Sequence, residues 1–261
     1  TRYPLVTGVQ TCALPIYKAM NIIVSVVTPT YNRRAFIPTL IQIYKNQTYP
    51  KENMEWIILD DGRDKVEDLF QEASQTIPHL RYLSYNEKLR IGAKRNILNR
   101  EAKGQIIVAM DDDDYYPADR IKTVVQAFTK YPRVDLAGSS EMFLYYKDVK
   151  KIYVMGPYHA NHATNGTMAW RKRYADTHQY DEYVTKAEEM SFLDQYKHQM
   201  IQLDPKKTIL VICHTDNTVD KTALREEHLS SRQQSKEKMR ETSYRLEDFV
   251  KEPSLRLFYC T

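Results

Sequence analysis

The sequence is poor in cysteine: Cys12, Cys213 and Cys260 stand far apart, with no C-x-x-C spacing. That excludes a disulfide scaffold and a cysteine zinc site, and it fits a reducing compartment such as the cytoplasm. Long hydrophobic runs are missing as well. The longest, such as residues 22–27 and 209–213, are strand-length, far short of the ~18–20 residues a membrane-spanning helix needs. No transmembrane segment is expected. Neither sign of charge dominates: 38 Lys and Arg face 34 Asp and Glu, for a net charge of +4. This balance gives no reason to expect nucleic acid as a partner. Internal repeats and low-complexity linkers are also lacking.

What is present is an ordinary globular composition, 42% apolar and 28% charged, which argues against disorder. A chain of 261 residues buries roughly 70–75% of its unfolded surface, enough for a core without staples. Tyrosine is common at 20 residues, and it suits half-buried rims as well as stacking surfaces. Residues 6–16, V-T-G-V-Q-T-C-A-L-P-I, are similar to the conceptual translation of a sequencing adapter. Residues 1–19 are therefore expected to be a non-native or disordered arm before a start at Met20, with an irregular native arm as the alternative. A signal peptide is disfavoured, because Gly8, Gln10, Thr11 and Pro15 break the apolar run it would need.

Residues 21–28 form a β-branched run that ends at Pro29 and reads as a buried strand. Helical spacing follows over 34–46, through Phe36, Leu40, Ile43 and Tyr44. Strands are expected at 55–59, 80–84 and 105–110. Helices are expected at 66–75, 93–102 and from Pro117 to about Lys130. This alternation predicts an α/β fold with a mostly parallel sheet. Beyond it, 136–146, 151–155, 168–171 and 208–214 read as strands, and 186–199 as a helix. From Lys221 to Glu252, 8 basic and 7 acidic residues with sparse apolar positions predict a charged helical tail.

Four consecutive aspartates, Asp111 to Asp114, follow the fourth strand directly. A charge run is commonly a solvated loop. In an open α/β sheet, however, ligands bind outside the carboxyl ends of strands, and converging carboxylates there need a counter-charge. A hard divalent cation shared with substrate phosphates supplies one. Alternate residues of an extended segment face the same side, so Asp111 and Asp113 can converge while Asp112 turns away. Asp60-Asp61-Gly62 ends the second strand on the same edge. A carboxylate there can meet a nucleobase or ribose, although a turn or helix cap explains it equally well. Pro29-Thr30-Tyr31-Asn32 ends the first strand, and Tyr31 is placed to stack on a base or to pack. Gly92-Ala93-Lys94-Arg95-Asn96 opens a helix with cations suited to a diphosphate, or forms a solvated basic face.

V-S-V-V-T-P-T-Y-N (24–32), I-I-L-D-D-G (57–62), G-A-K-R-N (92–96) and V-A-M-D-D-D-D-Y-Y-P (108–117) resemble, in order and spacing, family 2 glycosyltransferases of the GT-A fold. Over the whole chain the resemblance extends to members from giant DNA viruses and marine metagenomes. It implies a Rossmann-like, mixed and mostly parallel sheet flanked by helices. It also divides the chain into a nucleotide-binding half (20–117), an acceptor half (118–220) and the tail (221–261). By the same resemblance Asp61 contacts the base, with Pro29 and Tyr31 beside the nucleotide. Asp111 and Asp112 serve the nucleotide, Asp113 holds Mn²⁺ or Mg²⁺, and four aspartates leave Asp112 as an alternative ligand. Arg95 meets the diphosphate, with Lys94 as the alternative. Glu188 and Glu189 match the family's second acidic motif, Glu189 taking the general-base position with Glu where Asp is usual. Two acids in a helix's first turn are the simpler reading of that pair. His214, with Asn217 nearby, resembles a further metal ligand or is a structural strand-end histidine. His159, His162 and the 163–167 loop border the sugar or the acceptor, and Trp170 is core or acceptor platform.

The implied reaction is inverting transfer from a nucleotide sugar, UDP-linked, to a hydroxyl of a glycan, lipid or protein acceptor. For a viral chain the compartment is the host cytoplasm. A nucleotidyltransferase would be expected to carry a glycine-rich loop after the first strand, and 29–34 has no glycine. A non-catalytic nucleotide-sugar-binding module is the other alternative, opposed by the intact acidic motifs.

Overall fold

The computed structural model describes residues 21–184, 187–214, 221, 223, 225–226 and 239–260. The 1–19 arm, Met20, Lys186, Asn217 and most of 222–238 lie outside the described residues.

A seven-stranded sheet forms the centre, in the order β3-β2-β1-β4-β8-β5-β9. Its strands are β1 Val24–Thr30, β2 Met54–Asp60, β3 Leu80–Ser84, β4 Ile106–Ala109, β5 Leu136–Gly138, β8 Ala169–Arg171 and β9 Met200–Gln202. All pairings are parallel except the two made by β8. The mixed, mostly parallel sheet expected from the sequence is therefore present, with helices on both faces. β1 and β2 are buried along their full length, as strands covered on both faces must be. Alternation then sorts the two faces. Trp56 and Ile58 join Leu40, Tyr44 and Phe70 in one apolar cluster. Ile57 and Leu59 join Leu98, Trp170 and Phe192 in the other. Trp170 is thus core, 1% exposed.

One polar chain crosses the first cluster. Trp56 Nε1 donates to Thr28 Oγ1 (3.0 Å), and Thr28 Oγ1 donates to the Met110 carbonyl (2.7 Å). It ties β2 and β1 to the residue immediately before the aspartate run. Register does the rest: Thr30 lies opposite Asp60, and Val27 opposite Ala109. The carboxyl ends of β1, β2 and β4 therefore open on one edge.

Three expectations change on contact with the structure. Residues 136–146 are two strands, not one. Leu136–Gly138 stays in the central sheet, while β6 Met142–Tyr146 enters a second, four-stranded sheet with β7 Lys151–Met155, β10 Leu210–Cys213 and β11 Met239–Glu241. The break falls where the Ser139 hydroxyl bonds back to the Glu141 main chain. The 186–199 helix reduces to Glu189–Phe192 and a 3₁₀ turn, Asp194–Tyr196. It stops because Asp194, Gln195 and Tyr196 have φ of 45°, 57° and 60°, left-handed values that no α-helix of L-residues continues. The charged tail does carry helices, Leu246–Phe249 and Pro253–Cys260, but also contributes strand β11. Its sparse apolar residues Leu246, Phe249, Val250, Leu255 and Tyr259 are buried. Among the described residues no helix is long and apolar enough to cross a membrane.

Thr28→Val keeps the shape of the side chain but leaves the Trp56 N–H and the Met110 carbonyl buried and unpaired. A loss of about 1–3 kcal/mol of unfolding free energy is expected, read by urea denaturation. An unchanged midpoint would show that the chain of bonds does not stabilise the fold.

Candidate active site

A cavity of about 570 Å³ opens at this strand-end edge. Pro29 and Tyr31 line it from β1, Lys94 and Arg95 from helix α3 (Ile91–Glu101), and Asp111, Asp112 and Asp113 from beyond β4. Glu188 closes it from the second half of the chain. Of the candidates named from the sequence, Pro29, Tyr31, Lys94, Arg95, Asp111, Asp112, Asp113 and Glu188 line this cavity; Asp61, His159, His162, Glu189 and His214 lie outside the lining. Arg33, Lys88 and Arg90 also line it and carried no signal of their own. Arg33 was legible only as the residue that follows the P-T-Y-N turn.

Arg95 is the electrostatic centre. Its Nη1 lies 3.2 Å from Asp111 Oδ1, and its Nε donates to Glu188 Oε1 at 3.0 Å. In the amide orientation that satisfies both of its ends, Asn165 accepts from Arg95 Nη1 (2.6 Å) and Nη2 (3.2 Å) and donates to the Tyr180 hydroxyl. Burial works against the guanidinium charge, but Asp111 and Glu188 outweigh it and hold Arg95 protonated. The Asn165–Thr167 turn brings backbone against Asp111, since a Cβ on Gly166 would sit 2.9 Å from Ile209 Cδ1 and 3.5 Å from Asp111 Oδ2.

Each aspartate has its own surroundings. Asp112 is 9% exposed and its Oδ2 is buried without a hydrogen-bond partner. Burial and the Asp113 charge push it up to about 7. Asp113 Oδ2 lies 3.3 Å from His214 Nε2 and 3.5 Å from Arg33 Nη2. Burial acts to raise its pKa, yet the His214 hydrogen bond and the Lys221 and Arg33 charges hold it below the usual range. Asp114 turns inward and accepts from the Ile212 N–H at 2.8 Å, with burial pushing it up to about 8. The expectation that Asp112 turns away from the site is not met, since Asp112 lines the cavity with its neighbours and Asp114 is the one that turns away.

The Asp60-Asp61 pair divides the two readings open for it. Asp60 is the turn cap: it accepts from the Gly62 N–H (2.7 Å), the Val66 N–H (3.1 Å) and the Tyr82 hydroxyl (2.5 Å). Asp61 is buried, ion-paired with Lys94 through Oδ1 and accepting from the Leu89 N–H through Oδ2 at 2.6 Å. Burial lowers the Lys94 pKa against the pull of Asp61. Lys88 and Lys94 stand over the Tyr31 ring, at 4.4 and 5.4 Å from its centroid. Glu189 is half-buried, and burial together with the Glu188 charge pushes it up to about 7.

The donor set is one a hard cation favours: crowded carboxylate oxygens, one of them buried and unpartnered, beside an imidazole. Among the described residues no three His, Cys, Asp or Glu side chains converge as a ready-made metal site. That fits a cation held by one or two protein groups and completed by substrate phosphates.

The sequence model of the family described as "Glycosyl transferase family 2" matches residues 25–180, more than half of the chain. A Haemophilus influenzae protein described as an uncharacterized glycosyltransferase is 30% identical over 112 residues, 42% of this chain and 36% of that one. The chain spans less than half the length of the curated relatives it matches first. Two solved structures share the fold. The mannosyltransferase PcManGT of Pyrobaculum calidifontis, in complex with GDP-Man and Mn²⁺, superposes with a TM-score of 0.63 at 16% identity, covering 81% of this chain and 63% of that one. Staphylococcus aureus TarS 1–349, in complex with UDP-GlcNAc, gives a TM-score of 0.60 at 17% identity, covering 75% of this chain and 60% of that one.

Arg95→Met would leave Asp111 and Glu188 facing each other without their shared cation. Breaking a buried pair in this way costs about 3–5 kcal/mol, and a loss of that size is expected in urea unfolding. A loss below about 1 kcal/mol would show that the two carboxylates do not depend on the guanidinium.

Proposed function

The chain belongs to glycosyl transferase family 2, and from that premise we propose that it moves a sugar from a nucleotide sugar to an acceptor hydroxyl with inversion at the anomeric carbon. The observation that carries the reading is the Arg95 bridge, which joins the strand-end aspartates to the Glu188-Glu189 helix start across one cavity. This supports a donor site and a base acting on one substrate pair, with Glu188 in the cavity lining and Glu189 next to it in the chain.

Tyr31 stacks the base, with Asp61 and Lys94 at its edge. A UDP-linked donor is the proposed one; the solved relatives hold UDP-GlcNAc and GDP-Man respectively. Asp111 and Asp112 face the ribose and diphosphate, and Arg95 and Lys88 offset the charge that the diphosphate gathers as it leaves. Asp113 and His214 would hold the divalent cation, Mn²⁺ or Mg²⁺, with Asp112 as the alternative ligand. When bound, such a cation supplies Lewis-acid stabilisation of the leaving diphosphate.

Glu189 is the proposed general base. It takes the proton of the acceptor hydroxyl as that oxygen attacks the anomeric carbon in line. The bond from that carbon to the diphosphate oxygen breaks, and the nucleoside diphosphate leaves. A pKa near 7 suits this task, because an effective base titrates close to the working pH. Glu188 is committed to Arg95, so it positions the diphosphate arginine and does not act as the base.

Glu189→Gln keeps size and polarity but takes no proton. Turnover is expected to fall by about 10²–10⁴-fold with nucleotide affinity near wild type, as for an interaction needed only in the transition state. The wild-type rate should rise with pH and level off above about 7, where Glu189 is ionised. The same shift makes folding less favourable as pH rises from 4.5 to about 7, because the folded state keeps the proton longer. If Glu188→Gln is the dead variant and Glu189→Gln is active, the base is Glu188. If both stay active, the two are helix-start acids and the base lies elsewhere.

A further inference from the structure

We infer that the adjoining rings of Tyr158, His162 and Tyr196, with His159 set edge-on, form a seat beside Glu189 for a neutral sugar ring of the acceptor. The inference rests on the glycosyltransferase reading and narrows its acceptor to a saccharide.

The column is built from two distant segments. Tyr158 and His162 have ring centroids 4.3 Å apart at an interplanar angle of 33°, and His162 and Tyr196 4.9 Å apart at 30°. His159 meets Tyr196 at 5.1 Å and 83°. Gln202 pins the His side, its Nε2 donating to the carbonyls of Ala160 (2.7 Å) and His162 (3.2 Å). Asn161 Nδ2 reaches the Tyr196 carbonyl at 3.3 Å. Tyr196 itself ends the left-handed run of Asp194, Gln195 and Tyr196. An unfavourable backbone persists only where its surroundings over-determine it, and such outliers cluster at functional sites.

Both segments lead to the active site. The run follows the Glu189–Phe192 helix directly, and after burial it is the Glu189 charge that raises the Tyr196 phenol. Three residues beyond His162, the Asn165–Thr167 turn touches Arg95 and backs onto Asp111.

Charge selects the occupant. Burial and His159 lower His162 to about 4, so it is a neutral ring at physiological pH. Glu189 is the charge felt by Tyr196, and Asp194 is paired with Lys197 and His198. With His162 neutral, none of the Tyr158, His162 and Tyr196 rings offers a phosphate a cationic partner. A pyranose offers an apolar face to the rings and hydroxyls to the Tyr196 phenol and the exposed His159 imidazole, the amphipathic match that tyrosine makes well.

The test measures transfer by the full chain onto methyl glycosides and short neutral oligosaccharides, against a polyprenyl phosphate in detergent. Nucleoside diphosphate release without any acceptor is followed in parallel. Saccharides should accept, and Tyr196→Ala should raise the saccharide KM by about tenfold with a smaller change in kcat, while Tyr196→Phe, which keeps the ring and loses only the phenol's hydrogen bond, raises it by less. His159→Ala, an exposed member, carries the same test if Tyr196→Ala fails to fold. Transfer to the polyprenyl phosphate alone, release to water alone, or a saccharide KM unmoved by both variants overturns the inference while leaving the glycosyltransferase reading intact. No release from any donor removes that reading, and this inference with it.

Discussion

A buried guanidinium between two carboxylates, Asp111 on one side and Glu188 on the other, is the interaction on which the cavity depends. The four aspartates arrive at the sheet edge because β4 is central and parallel, and nothing in the sheet brings the Glu188-Glu189 segment to meet them. Arg95 does, from α3, with the Asn165 amide completing its shell. Carboxylates packed this closely are unfavourable unless a cation stands between them. The same requirement explains Lys94 on Asp61 and Arg33 on Asp113. Asp61, Asp111, Asp113 and Glu188 are each set against a base of the N-terminal half, whereas Asp112 keeps a buried oxygen without a hydrogen-bond partner.

Much of this was legible because it is local. Strand ends announce themselves through β-branched runs that stop at Pro29, at Asp60-Asp61-Gly62 and at the aspartate run, and parallel topology puts such ends on one edge. The short basic run at 92–96 was legible for the same reason. Its division of labour was not. Arg95 finds Glu188 across 93 residues and Lys94 finds Asp61 across the sheet edge, and no local pattern encodes either pairing. Asp112 lines the cavity against the expected alternation because the chain bends after Asp111; simple strand alternation does not describe a bent segment.

The second half was harder to read for a related reason. Residues 136–146 carry one apolar pattern but serve two sheets, and the switch is made by a serine hydroxyl. The helix beginning at Glu189 ends in a left-handed run with no glycine to signal it, so the meeting of Tyr196 with Tyr158 and His162 has no counterpart in periodicity. The tail shows the opposite case. A few apolar residues suffice to pack it, Tyr259 reaching the Asp114 carbonyl at 3.4 Å, and Arg225 is buried against Asp148.

The central claim is that this cavity turns a nucleotide sugar over and does not merely hold it. The most direct measurement is nucleoside diphosphate release from a panel of nucleotide sugars by the full chain, with Mn²⁺ and then with EDTA. Release from at least one donor, UDP-linked, is expected in Mn²⁺ and is lost in EDTA. Saturable nucleotide-sugar binding with no release from any donor would contradict it, and would make the chain a binding module built on an enzyme's fold.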